Sequence, residues 1–210
     1  MSLLTGESVS LRPYQGDEDA GLVARWLASP MAVHSSRGPR FLALPAAREL
    51  VAGSARQMLV AERAGQPIGA LFWQSSGPAG GSSLDHVVGV PEVWGAGAGA
   101  EAVSIVLAYQ FQGLNAHRVQ SIAAVYDRMM VEIAVRLGLT VEGVLRDYFY
   151  VDGRYHHAVV LAQLADAYRD RTQCGPAPAV TDEDKAVARR ILNEHLAGSG
   201  HSLDPSEAFS

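Results

Sequence analysis

Cysteine is almost absent from this 210-residue chain: Cys174 stands alone, so no internal disulfide can form and nothing points to an oxidising compartment. No block of Lys or Arg interrupts a chain whose formal net charge is −5, so a nucleic-acid surface is not expected. No apolar run is long enough for a bilayer. The longest, around Ala100 to Leu107, is interrupted by Glu101 and Ser104. Met1 to Leu11 lacks the basic-then-apolar pattern of a secretory leader, and a cytoplasmic protein is expected. Ligand spacing for a metal is missing too, and His156 and His157, adjacent on a strand, point oppositely. What remains is ordinary globular composition, 48% hydrophobic and 19% charged.

The pattern of apolar residues predicts a mixed α/β sheet covered by helices. Val9–Arg12 reads as a strand, and 17–28 as a helix with Leu22, Val23, Trp26 and Leu27 at helical spacing. An irregular loop is expected over 29–45, and a short helix from Pro45. Met58–Ala61 and Ile68–Trp73 read as a hairpin, 75–83 as a loose loop, and Leu84–Val90 as a strand ended by Pro91. A buried helix (98–111), a strand (118–125), a helix (127–137) closed by Gly138, a strand (141–151) and a last strand (157–164) follow. Cys174 to Val180 reads as a linker, and Thr181 with Asp184 has the spacing of a helix capping box. The expected organisation is a domain over 1–170, a linker over 171–180, an appended helix over 181–197 and a tail over 198–210.

Gly95-Ala96-Gly97-Ala98-Gly99-Ala100 lies between a strand and a buried helix. Glycines admit a ligand close to the backbone, and the free N–H groups of a helix N-terminus favour an anion such as phosphate. Gly95-x-Gly97-x-x-Ala100, with Asp127 beyond the next strand, also fits a relaxed dinucleotide fingerprint. Against that alternative, Pro91-Glu92-Val93-Trp94 separates the glycines from their strand, and the preceding strands form a meander.

Pro91-Glu92-Val93-Trp94-Gly95-Ala96-Gly97-Ala98-Gly99-Ala100-Glu101-Ala102 resembles the P-E-Y-W-G-K-G-Y-A-T-E-A of the GNAT acetyltransferase superfamily, in the branch of the ribosomal-protein alanine acetyltransferases RimJ and RimL. Leu137-Gly138-Leu139-Thr140-Val141-Glu142-Gly143-Val144-Leu145-Arg146-Asp147-Tyr148 resembles its L-G-F-x-x-E-G-x-L-R-D-Y, over a likeness spanning about 8–168. The resemblance implies a mostly antiparallel sheet with two splayed parallel strands, flanked by helices. It also implies an acyl-CoA donor, normally acetyl-CoA, and an amine acceptor that is a small molecule or a protein N-terminus; a homodimer is compatible with it. The donor's pyrophosphate is expected on the backbone from Trp94 through Gly95, Ala96, Gly97, Ala98 and Gly99 to Ala100. Backbone groups near Val88 and Val90 are expected to hold the pantetheine arm and polarise the thioester. Asp127 and Met130 stand where the branch commonly has Asn and Ser, and His157 where it has Asp. A thioether donates no proton to a departing thiolate. A non-catalytic acyl-CoA-binding or partner-binding module is therefore the second reading.

An acceptor amine must lose a proton, and His86 and Asp85 are the candidate bases on the strand before the glycines. Tyr148, with Tyr150 and Tyr126 behind it, is a candidate acid. Core packing explains the tyrosines as readily. Arg128 is a candidate for the donor's 3′-phosphate, and Arg37 and Arg40 for a carboxylate on the acceptor; solvated surface explains all three.

Overall fold

The computed structural model describes residues 4–29, 32, 41–53, 56–76, 80–173 and 181–199; at 86–88, 95–96 and 196–199 it describes the backbone alone. Arg37 and Arg40 lie outside the described residues. Two compact units divide the chain, Met1–Gly175 and Pro176–Ser210.

The first unit is built on one eight-stranded sheet. Its strands are β1 (Leu4–Thr5), β2 (Ser10–Pro13), β3 (Gln57–Arg63), β4 (Gln66–Ser76), β5 (Gly81–Gly89), β6 (Arg118–Ala124), β7 (Thr140–Val151) and β8 (Arg154–Leu164). Their spatial order is β1-β2-β3-β4-β5-β6-β8-β7. Every neighbouring pair is antiparallel except β5 with β6. Part of the segment expected as a loop over 75–83 is sheet, because β4 runs on to Ser76 and β5 starts at Gly81. Ser75↔Ser82 and Ser76↔Gly81 extend the ladder: small polar side chains do not prevent backbone pairing once the register is set.

Helix α1 (Asp17–Leu27) opens with three acids in its first turn, which suit the positive end of the helix dipole. Its buried apolar residues, Ala20, Val23, Trp26 and Leu27, share one stripe. With Ala47 and Val51 of α2 (Leu44–Ala52) they pack on Met58, Val60, Ala70 and Phe72, one face of the meander. The alternate residues Leu59, Ala61, Leu71 and Trp73 turn to the opposite face, where α3 (Gly99–Ala108) contributes Ala102, Val103, Val106 and Leu107. That alternation is what places a helical layer on each side of the central strands.

Helix α4 (Arg128–Leu137) follows β6 and begins at the N-cap Asp127, whose Oδ1 accepts from the Met130 amide at 3.0 Å. It ends at Gly138, whose φ of 77° places it in the left-handed region, a usual helix stop. Helix α5 (Ala165–Thr172) closes the first unit: Tyr168 stacks on Phe111 with ring centroids 4.6 Å apart. In the second unit, α6 (Asp182–Ser199) is capped by the expected pair, with the Asp184 amide donating to Thr181 Oγ1 at 3.0 Å.

Candidate functional site

A fork opens in the middle of the sheet. β5 and β6 pair at Gly81↔Arg118, Ser82↔Val119 and Ser83↔Gln120, and no further pair follows. The cause sits two residues beyond, at Asp85. Trp73 faces Leu84 and Phe72 faces His86, so Asp85 is the extra residue of a β-bulge. A bulge bends and twists its strand, which here carries β5 away from β6. Ser121 Oγ donates to the Leu84 carbonyl at 2.9 Å, the last bridge across the two strands.

Antiparallel pairing decides which backbone groups face the gap. The Val90 amide donates to the Ile68 carbonyl at 2.9 Å, so that N–H is unavailable to a ligand. Val88, paired with Ala70, shares its direction toward β4. Among the backbone groups near Val88 and Val90, those of these two residues are thus directed to β4. Alternation turns the backbone of Val87 and Gly89 to the fork instead. Gly89 has no room for a side chain: a Cβ would lie 2.5 Å from the Ile68 carbonyl oxygen and 2.7 Å from the Trp94 ring.

Past β5 the chain makes a helical turn (Pro91–Val93) and a widened turn (Trp94–Ala98) before α3. The segment expected as a loop is thus nearly helical throughout, with one reversal at Gly97 (φ 104°, ψ −17°). Open space surrounds Gly97, with no atom within 4 Å of a Cβ built there. Trp94 is a core residue, 1% exposed, and its indole lies against Gly99, where a Cβ would come within 2.7 Å. The Gly99 amide is spent on the Trp94 carbonyl. Of this glycine run, Gly97 is open space while Gly99 makes room for tryptophan. A groove of about 510 Å³ runs from Gly97 along the outer side of α3 to Ile105, with Arg63 and Arg136 among its walls.

The remaining candidates separate sharply. Asp85 accepts from Ser83 Oγ at 2.8 Å and pairs with Arg56 at 3.3 Å. His86 is placed by its backbone, opposite Phe72. Met130 packs between Ala134, Ala123 and Leu161 and borders a small apolar space at the fork together with Leu84 and Ser121. Tyr148 packs edge-on against Phe149 with centroids 5.1 Å apart, whereas Tyr150 is exposed and meets Tyr155. Arg128 pairs with Glu132 at 2.6 Å on the surface. His157 accepts from the Asp147 amide through Nδ1 at 3.0 Å. Arg56, Arg63, Arg136, Val87 and Ser121 escaped the sequence reading, because only strand register and the packing of helix on sheet bring them to this place.

A bulged strand parting from a parallel neighbour, beside a helix entered through a glycine reversal, defines a class of acyl-CoA-using transferases. The chain belongs to the acetyltransferase (GNAT) domain family, whose model matches residues 8–140. Members use acetyl-CoA as donor, so the chain is an acetyltransferase of this class. No curated protein sequence matches. Among solved structures, the chain is similar to a mutant spermidine/spermine N-acetyltransferase SpeG from Vibrio cholerae (TM-score 0.66, 20% identity, covering 79% of this chain and 98% of that one). It is likewise similar to the spermidine N-acetyltransferase of that organism in complex with CoA and spermine (TM-score 0.64, 20% identity, 77% and 98%). A probable GNAT-family acetyltransferase from Chromobacterium violaceum gives a TM-score of 0.65 at 23% identity, covering 79% and 87%. The dinucleotide alternative fails with this assignment, since a single parallel pair in a meander supplies no βαβαβ half.

Proposed function

We propose that the chain transfers an acyl group, normally acetyl, from coenzyme A to a primary amine by direct attack. The observation that carries this reading is the fork between β5 and β6, standing beside the open reversal at Gly97. The backbone around Gly97 takes the donor's pyrophosphate at the start of the α3 layer. The nucleotide end then lies along the groove on α3, whose walls carry Arg63 and Arg136 as well as Glu7 and Glu101, with the two arginines available to the phosphate. The thioester is held in the fork, against the backbone of Val87 and Gly89. A fixed N–H there stabilises the oxygen that gains charge as the amine adds. Asp127 and Met130 serve this site indirectly, the first by capping α4 and the second as an apolar wall.

The acceptor is an amine of a protein N-terminus or of a small molecule. The RimJ/RimL-like sequence favours the former, and likeness to enzymes named for spermidine favours the latter. We read 1–170 as the catalytic domain, 171–180 as a linker, 181–197 as an appended helix and 198–210 as a tail. A lone cysteine suits a cytoplasmic site of action. The non-catalytic alternative draws on Met130, which offers no proton at the fork.

Calorimetry with acetyl-CoA tests the donor site. The wild type should bind saturably, and Gly97→Glu, which sets a carboxylate against the pyrophosphate, should abolish binding. Equal affinity in the two proteins refutes the phosphate placement. Thiol release from acetyl-CoA with spermidine or an alanyl peptide separates an enzyme from a binding module.

A further inference from the structure

His156 lies on β8 opposite Phe149 of β7. Its Nε2 is buried, and among the described residues it has no hydrogen-bond partner. Buried polar atoms are nearly always paired, so an orphaned imidazole nitrogen asks for an occupant. The ring is fixed on one side by an edge-on contact with Tyr126, centroids 4.9 Å apart at 78°. Tyr126 follows β6, and its ring also meets Phe149 at 6.3 Å.

Topology puts His156 on the strand that flanks β6 on the side away from β5, level with the wide end of the fork. β8 runs antiparallel to β6, with Ala124 opposite Ala158 and the Val125 amide donating to the His157 carbonyl. His156 therefore neighbours the C-terminal end of β6, the end from which β5 has parted. Along β8, Val159 and Leu161 turn toward Met130 and α4, while Ala158 turns to Phe149 on the other face. His156 shares the face of Ala158 and stands away from α3 and α4. A donor whose phosphates lie at α3 and whose arm threads the fork presents its thioester toward that face.

We propose that His156 is the catalytic base of the transfer. Its Nε2 takes a proton from the acceptor nitrogen as that nitrogen bonds to the thioester carbon. The C–S bond then breaks, with its electron pair leaving on sulfur. The thiolate gains a proton from solvent, and the imidazolium returns its own, so the proton count closes. This inference rests on the donor placement proposed above. The ring that meets the imidazole is the phenol of Tyr126, which packs with Tyr148 against Ala124, Phe149 and Ala158.

Three measurements on the full chain test it. Calorimetry with acetyl-CoA should give wild type and His156→Gln the same affinity. No binding by the wild type overturns the donor reading and the base with it. In ¹⁵N-histidine spectra, acetyl-CoA should shift the ring signals of His156; unmoved signals overturn the assignment whichever amine is the acceptor. With spermidine or an alanyl peptide, whichever turns over faster, His156→Gln should lower kcat about 100-fold, in the usual range for a lost general base. The KM for acetyl-CoA should stay within about twofold, and His157→Gln should leave kcat within about twofold of wild type. A folded His156→Gln protein with the wild-type rate refutes the role.

Discussion

Glycines in the segment from Gly89 to Gly99 have different reasons to be there, and substitution separates them. At Gly99 a methyl group would press into the Trp94 ring at 2.7 Å, and at Gly89 into that ring and the Ile68 carbonyl. Either Gly→Ala change should cost about 1–3 kcal/mol as overpacking, measured by urea unfolding. At Gly97 the space is open but φ is 104°, so Gly97→Ala should cost only about 1–2 kcal/mol of backbone strain. Its larger effect should fall on donor affinity, because the methyl group stands where the pyrophosphate approaches. Stability loss at Gly97 equal to that at Gly89, with donor affinity intact, contradicts this division. Sequence shows all of these glycines but not which neighbour each one faces; that depends on Trp94, buried from several residues away.

Two carboxylates tie elements together, and both should make the fold acid-sensitive. Arg12 of β2 grips Asp19 of α1 through two hydrogen bonds of 2.6 and 2.8 Å and donates through Nε to Glu62 of β3 at 2.6 Å. Burial pushes the Asp19 carboxyl up, but the Arg12 guanidinium and the Gln15 amide outweigh it and hold it below its ordinary value. Burial likewise acts on Glu101 of α3, where the Ser8 hydroxyl and the amides of Ser8 and Val9 prevail and lower it. A carboxylate with a depressed folded value binds fewer protons folded than unfolded, so its stabilisation is complete above the ordinary carboxylate range. It is lost as the pH falls through the folded value. Urea midpoints should therefore decline below about pH 4.5, the ordinary value for Glu101, and Glu101→Gln should flatten part of that decline. Arg12→Ala, which leaves two acids without their buried partner, should cost about 3–5 kcal/mol at neutral pH. A change under about 1 kcal/mol contradicts the view that this triad locks α1 to the meander.

For the whole molecule, the donor is a ligand of the folded state alone and should raise its melting temperature. At a hundredfold excess over Kd the gain is about 2.7 kcal/mol, a shift of roughly 5–10 °C for a domain of this size. NADH at the same concentration should do nothing. The groove on α3 adds a finer test: Arg63→Ala with Arg136→Ala should weaken CoA binding several-fold and dephospho-CoA binding less, if these cations meet the 3′-phosphate. Equal loss for both ligands argues against that contact.

Much of the fold is legible in the sequence alone. Hydrophobic period locates the chief helices and strands, Gly138 and Thr181 mark a helix end and a helix start, and the glycine run with its flanking motifs points to acyl-CoA chemistry. These features are local, set within a few residues by backbone sterics and capping. Only the tertiary structure decided what depends on register between distant strands. It made Asp85 a bulge paired with Arg56, turned Val88 and Val90 away from the fork, buried Trp94 beneath the glycines, and brought His156 to Tyr126. A one-residue slip in pairing moves a side chain to the other face of a sheet, and no pattern within a single strand records where its neighbour stops.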